Sequence, residues 1–211
     1  MIELYLIRHA ESVLNTEGNI LGGRTNHIPL TEKGRQQAYK LGRYHKERRI
    51  TFDGVYASPA VRTRSTAEVE CSVIGFPLDQ IIIADEIQEL SQGLWEGLER
   101  KKVHTPELLY KINKDPEVNW NFTPPDGESA KMVEERMYAW VEKNILTSDK
   151  QSVAVFSHGN AIKCVLRKML DYSPLTTFKI QIDNTSVTKL KYDHRGWHLL
   201  SLNDTTHLYK D

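Results

Sequence analysis

The sequence predicts an α/β fold: a three-layer α/β/α sandwich with a mostly parallel central sheet. Two observations carry this. Short apolar runs of strand length alternate along the chain with longer segments whose apolar residues recur every three to four positions. The 211 residues, 39% of them hydrophobic, suit one domain with a sizeable core. The expected organisation is a single domain over residues 1–211, with an insertion at about 93–127 lying over a site.

The chain opens on a strand, Met1 to Ile7, stopped by the charged cluster Arg8-His9-Ala10-Glu11-Ser12. A glycine-punctuated loop runs from Gly18 through Gly22 and Gly23 to Pro29. Thr31 then caps a helix whose Ala38, Leu41 and Tyr44 form one buried face. Phe52 to Ala57 reads as the second strand, and Ser58-Pro59 leads into a helix over Ala60 to Val73. Gly75-Phe76-Pro77 breaks that helix before a third strand, Ile81 to Ala84. The glycines and prolines between Asp85 and Gly127 predict short helices and loops. Asp126 or Ser129 caps a long helix to about Leu146, with Met132/Val133, Met137, Trp140/Val141 and Ile145 on one stripe. Ser152 to Phe156 is a buried strand, followed by a helix from Asn160 to Leu170. Asp193-His194-Arg195-Gly196 joins two last strands, Ser186–Tyr192 and Trp197–Leu202, as a hairpin.

Composition narrows the function classes. Twenty-eight basic residues balance 28 acidic ones, which argues against broad electrostatic binding to nucleic acid. The apolar runs are far too short for a membrane span. Two cysteines, Cys71 and Cys164, do not make a disulfide framework and read as reduced core residues. With no signal-like leader, a cytoplasmic protein is expected.

In a parallel sheet, ligands bind beyond the carboxyl ends of the strands, where helix N-termini point. Three charged clusters fall there: Arg8-His9 after the first strand, Arg62 in the first turn after the second, and Ser157-His158-Gly159-Asn160 between a strand and a helix. Two arginines suit a tetrahedral oxyanion because the guanidinium donates in a fork. A neutral histidine beside them is a candidate nucleophile, and exposed amides opening the third helix are expected to add anion donors. This set suits phosphoryl transfer, where positioning and charge stabilisation do most of the catalysis. No convincing metal-ligand cluster accompanies it.

Several motifs, in order, resemble the histidine phosphatase superfamily, the phosphoglycerate mutase-like proteins. They are Leu6-Ile7-Arg8-His9-Ala10-Glu11-Ser12 with Asn15; Leu30-Thr31-Glu32-Lys33-Gly34 with Gln37-Ala38; Ser58-Pro59 with Arg62-Thr63 and Thr66-Ala67; and Glu89 with Gly93, Trp95, Glu96 and Gly97. Pro125-Asp126-Gly127-Glu128-Ser129, Ser157-His158-Gly159-Asn160, and Leu202-Asn203-Asp204 with His207-Leu208 complete the series. The resemblance implies His9 as nucleophile carrying a phosphohistidine, with Arg8, Arg62 and His158 on the phosphoryl oxygens. It implies Glu89 as general acid, whose loss should cost about 10²–10⁴-fold in rate for a poor leaving group. Ser12, Asn15, Gly22, Arg100 and Asn160 are the expected substrate-binding positions. No cofactor is implied, and the activity implied is a metal-independent phosphoric monoester hydrolase of the histidine acid phosphatase type, acting on a small phosphorylated metabolite. Members are often dimers, which makes a homodimer the implied assembly.

Trp95-Glu96-Gly97 resembles the phosphatase branch. His9 and His158 lie 149 positions apart, a shorter span than in cofactor-dependent phosphoglycerate mutases, and the paired arginines of the mutase insertion are not evident. Mutase activity is therefore the first alternative and a non-catalytic phospho-ligand or protein-binding module the second. Arg100, Lys101, His104, Tyr110 and Trp120 are expected to line the leaving-group side without selecting a substrate. Trp120 and Phe122 offer a lid over it, against plain packing. His194 and His198 are four apart, but the turn at Gly196 makes them surface hairpin residues rather than metal ligands.

Overall fold

The structure is a computed structural model and describes residues 1–209. Its strands are β1 (Ile2–Arg8), β2 (Gly54–Ala57), β3 (Ile81–Ile83), β4 (Ser152–Ser157), β5 (Val187–Asp193) and β6 (Gly196–Asp204). They form one sheet in the order β3-β2-β4-β1-β5-β6. The pairs β1–β4, β2–β4 and β2–β3 are parallel, and the terminal hairpin adds β5 and β6 antiparallel.

Side chains alternate across this sheet. Leu4, Leu6, Val153 and Val155 join one apolar cluster, with Val133, Met137 and Trp140 from α7 (Ala130–Val141) and Ile162, Val165 and Leu166 from α8 (Gly159–Leu170). Tyr5, Ile7, Ala154 and Phe156 join another, with Leu41 from α2 (Glu32–Glu47) and Ala67 and Cys71 from α3 (Val61–Ile74). Buried on both faces, β1 and β4 read as continuous apolar runs, as central parallel strands do. Phe156 is fully buried, so truncating it to alanine should cost about 3–5 kcal/mol.

Local chemistry sets most boundaries. Thr31 accepts the Gly34 amide at 2.9 Å and starts α2. Gly34 is needed because a Cβ there would collide with the Glu11 carbonyl. Ser129, not Asp126, caps α7 by accepting from the Met132 amide at 3.2 Å; Asp126 takes a left-handed φ of 54°. α7 passes into a π-turn over Glu142–Leu146, and Met132 is exposed, so Val133 alone carries that turn of the stripe. On α2 the buried face includes His45, held to buried Glu70 at 2.6 Å, while Tyr44 is only half-buried. A short helix, α1 (Val13–Thr16), interrupts the first loop, where the sequence predicts none. The segment 93–127 folds into α4 (Arg100–Val103), α5 (Pro106–Asn113) and α6 (Pro116–Asn121), as its prolines predict. A last short helix, α9 (Pro174–Thr177), follows α8. Cys71 and Cys164 are free, and burial pushes both thiols up. Among the described residues, no helix is long and apolar enough to cross a membrane.

Candidate active site

The parallel register brings the carboxyl ends of β1, β4 and β2 level: Arg8 pairs with Ser157, and Ala57 with Phe156. Beyond these ends the chain stays tied, with the His9 amide on the Ser157 carbonyl and the Ser58 amide on the Phe156 carbonyl, both at 3.0 Å. His9, Ser58 and His158 thus emerge side by side, and α3 and α8 start within a few residues of them.

His9 is buried, and its Nδ1 lies 2.8 Å from the Ala10 carbonyl. A carbonyl can only accept, so Nδ1 carries the hydrogen and Nε2 keeps its lone pair. Burial first, then the charges of Arg8 and Arg62, hold the His9 pKa well below the usual imidazole value. His158 is depressed in the same direction by burial, Arg62, His9 and Arg8. Its Nδ1 faces Arg62 Nη2 at 3.2 Å, a group that can only donate, so Nε2 bears the hydrogen and donates to Ser58 Oγ at 2.8 Å. The two imidazole rings meet edge-on with centroids 5.2 Å apart.

The arginines are anchored on backbone oxygens. Arg62 donates to the Thr25 carbonyl at 2.7 Å and the Gly23 carbonyl at 3.0 Å. Arg8 Nη1 donates to the Ile182 carbonyl at 2.7 Å, and its buried Nε has no partner among the described residues. Carbonyls fix a guanidinium without cancelling its charge.

Arg8, His9, Arg62 and Glu89 line one cavity of about 270 Å³, together with Ser12, Asn15, Gly22 and Arg100. Asn15 Oδ1 accepts from the Ser12 amide and hydroxyl, each at 3.0 Å, and from Asn184 at 3.2 Å. The Arg100 guanidinium has no hydrogen-bond or ion-pair partner among the described residues. Another hollow, of about 220 Å³, lies against α2 between Tyr39, Arg43 and His207 and has no such convergence.

Three expectations need correction. The amides opening α8 are not free for an anion: Asn160 and Ala161 donate to the Glu89 carboxylate at 3.2 and 3.0 Å. Asn160 therefore meets Glu89 through its backbone and does not line the cavity. His158 is fully buried and stands behind the wall, bracing His9 and Arg62 rather than lining it. Of the insertion residues only Arg100 reaches the cavity. Lys101 and Lys102 pair with Glu99 at 3.3 and 2.8 Å, Tyr110 is exposed, and Trp120 is buried against Phe178, which makes it packing and not a lid. Phe122 stacks on Trp95 at 5.7 Å. His198 bonds Asp193 at 3.0 Å within the terminal hairpin.

Two residues of the cluster had no role from sequence. Ser58 accepts the His158 Nε2 hydrogen at 2.8 Å, while Arg62 sets the tautomer. Asn184 donates to the His9 carbonyl at 3.0 Å as well as to Asn15. The available signals were a small polar residue at a strand end and the polar run Asp183 to Ser186 before β5. Among the described residues no group of three or more His, Cys, Asp or Glu side chains could hold a metal ion.

Comparison with known proteins gives a consistent family. Residues 4–205 match the family described as the histidine phosphatase superfamily (branch 1). A protein of Escherichia fergusonii named "Probable phosphoglycerate mutase GpmB" is 28% identical over 99% of this chain and 95% of its own. A mutant phosphoserine phosphatase from Entamoeba histolytica, solved with phosphoserine, is 28% identical with a TM-score of 0.79, covering 99% of this chain and 100% of that one. A mycobacterial glucosyl-3-phosphoglycerate phosphatase solved with VO3 shares the fold at 21% identity and a TM-score of 0.80, over 96% of this chain and 99% of that one. The chain belongs to the histidine phosphatase superfamily.

Proposed function

We propose that this superfamily member hydrolyses small phosphomonoesters through a phosphohistidine on His9. The observation that carries the reading is His9 itself: a buried imidazole held neutral, its hydrogen fixed on Nδ1, its Nε2 lone pair available beside two guanidinium groups in one cavity. Nε2 attacks phosphorus and the ester P–O bond breaks. Glu89 in its protonated form gives its proton to the leaving oxygen. Water then attacks the phosphohistidine, Glu89 takes the water's proton, and phosphate departs. Arg8 and Arg62 hold the three transferring oxygens, over which the charge is spread in the transition state, with His158 bracing Arg62.

Arg100 supports one substrate class. A third cation on the cavity wall, without a protein partner, suits a phosphomonoester that carries a second anionic group such as a carboxylate. The solved relatives from Entamoeba histolytica hold phosphoserine and 3-phosphoglyceric acid, which makes these two the first compounds to test.

The test is a phosphoester panel read by phosphate release, with His9→Ala as control. Equal release by wild type and His9→Ala sinks the catalytic reading and leaves a binding module. Arg100 and the names of the sequence relatives also favour a second reading, phosphoglycerate mutase. Strong 2,3-bisphosphoglycerate-dependent conversion of 3-phosphoglycerate to 2-phosphoglycerate would establish it over hydrolysis.

A further inference from the structure

Glu89 sits in an irregular stretch between two 3₁₀ turns, Asp85–Ile87 and Gly93–Trp95, so no helix or strand ladder fixes it. Two arginines from distant parts of the chain hold its backbone instead. Arg136 on α7 sends Nη1 to the Glu86 carbonyl at 2.5 Å and Nη2 to the Gln88 and Glu89 carbonyls at 2.9 and 3.0 Å. Arg24, from the loop after β1, sends Nε to the same Glu89 carbonyl at 3.3 Å.

One carboxylate joins the two cations. Glu128 accepts Arg136 Nε at 2.9 Å and Nη2 at 3.0 Å in a fork, and Arg24 Nη2 at 2.8 Å. Its second oxygen also takes the Ser91 amide at 3.2 Å, two residues past Glu89. Burial pushes the Glu128 carboxyl up, but Arg136, the Ser91 amide and Arg24 outweigh it and hold it below its ordinary value, so it stays ionised. The chain from residue 86 to 91 is thereby held on both sides of Glu89. The Glu89 carboxylate is held separately, on the amides of α8.

We propose that Arg136, Glu128 and Arg24 form a positioning clamp that fixes the proton-donating Glu89 against the leaving oxygen. None of the three lines the cavity; they act on Glu89 from behind it. A largely buried ion-pair network is a weak source of stability, because desolvation offsets the attraction. A precise acid is a better account of it, since small misplacements of a catalytic group cost large rate factors. The proposal rests on Glu89 as the general acid.

The experiment compares two leaving groups. p-Nitrophenolate departs without a proton, whereas an alkoxide needs one, so the ratio of kcat/KM for phosphoserine over p-nitrophenyl phosphate reads the acid's placement. If phosphoserine is a poor substrate, the best alkyl phosphate of the panel replaces it. Glu128→Gln, Arg136→Lys and the more exposed Arg24→Met should each lower that ratio, the first two by about 10- to 100-fold, chiefly through kcat. Glu89→Gln should lower it by about 10²–10⁴-fold. Adding Arg136→Lys to Glu89→Gln should lower the ratio no further, because the two act through one proton. The clamp is overturned if the folded variants slow both substrates equally, as a merely structural role predicts. Should Glu89→Gln itself leave the ratio unmoved, the general-acid reading falls and the clamp with it.

Discussion

Replacing Arg62 by lysine keeps the charge and removes the fork, and the structure says what that costs. Arg62 makes three contacts, to the Thr25 carbonyl, the Gly23 carbonyl and His158 Nδ1, at 2.7, 3.0 and 3.2 Å. A lysine ammonium on a flexible stem can meet one of the two carbonyls but not span both and the imidazole. Losing a hydrogen bond to a charged group costs about 1.5–3 kcal/mol. A net loss of about 2 kcal/mol would lower the melting temperature by ~4–8 °C in a chain of this size. Catalysis should suffer more. Removing one preorganised donor from a charged transition state costs about 2.7–4 kcal/mol, or roughly 10²–10³-fold in rate. The assay is p-nitrophenyl phosphate turnover at pH 7 beside a thermal melt. A variant that melts several degrees lower yet keeps kcat/KM within about threefold would show that Arg62 is only a loop anchor, and the assigned role would be wrong.

His9 and His158 are both depressed, so both rings should be neutral at pH 6 and protonate only well below the usual imidazole range. Ring-nitrogen NMR shifts through a titration check this, and a His9 midpoint near 6.5 contradicts it. Gly93→Ala should impair the acid loop, because φ is +54° and a Cβ there would collide with the Pro125 carbonyl; expected is a loss of at least about 1–2 kcal/mol in urea unfolding. Buried His207 is pushed down to about 4, by burial first and then the neighbouring His45, with Lys40 lowering and Asp204 raising it. The unfolded ring binds its proton nearer 6.5, so this stability is present above that value and is lost as pH falls toward the folded value. Between pH 7 and 5 the loss from this group is about 2 kcal/mol. His207→Asn should flatten the urea-midpoint dependence over that interval; an unchanged slope refutes the assignment.

Much of the site was legible because its parts are contiguous in sequence and sit where the sheet ends. Arg8-His9 closes β1, His158 follows β4, and Arg62 opens α3, so a correct strand order places all three. Glu89 was legible only through its spacing to Gly93. What was not legible depends on which loops the fold brings together. Asn184 acts on His9 across the β1–β5 pairing, and nothing local to Asn184 signals that. The α8 amides looked free because their occupant, Glu89, comes from some 70 residues away in sequence. Arg136 lies among other charged residues on α7, and its charge pattern resembles an ordinary solvated face. The insertion's polar and aromatic residues looked like site lining on composition, yet packing took Trp120 into the core and left Tyr110 in water.

The unpaired state of the cluster is itself a design constraint, and it can be tested. Arg8 and Arg62 are held by carbonyls and an imidazole, while the carboxylates whose charge reaches them, Glu89, Asp183 and Glu96, accept from the α8 amides, from Gln181 and Asn203, and from loop amides. The positive field therefore remains for an anion, and the same field adds to burial in keeping His9 unprotonated. Ser58, fully buried against His158 Nε2, is the place to break it. Ser58→Asp sets a negative charge in hydrogen-bond reach of His158, which should raise the His158 pKa and, less strongly, that of His9. Inorganic phosphate should then inhibit more weakly, and the acid limb of kcat should move up. Ser58→Asn adds nearly the same volume without the charge and separates crowding from electrostatics. If the aspartate and asparagine variants share one pH profile and one phosphate affinity, the field of the cluster does not control the nucleophile, and its neutrality comes from burial alone.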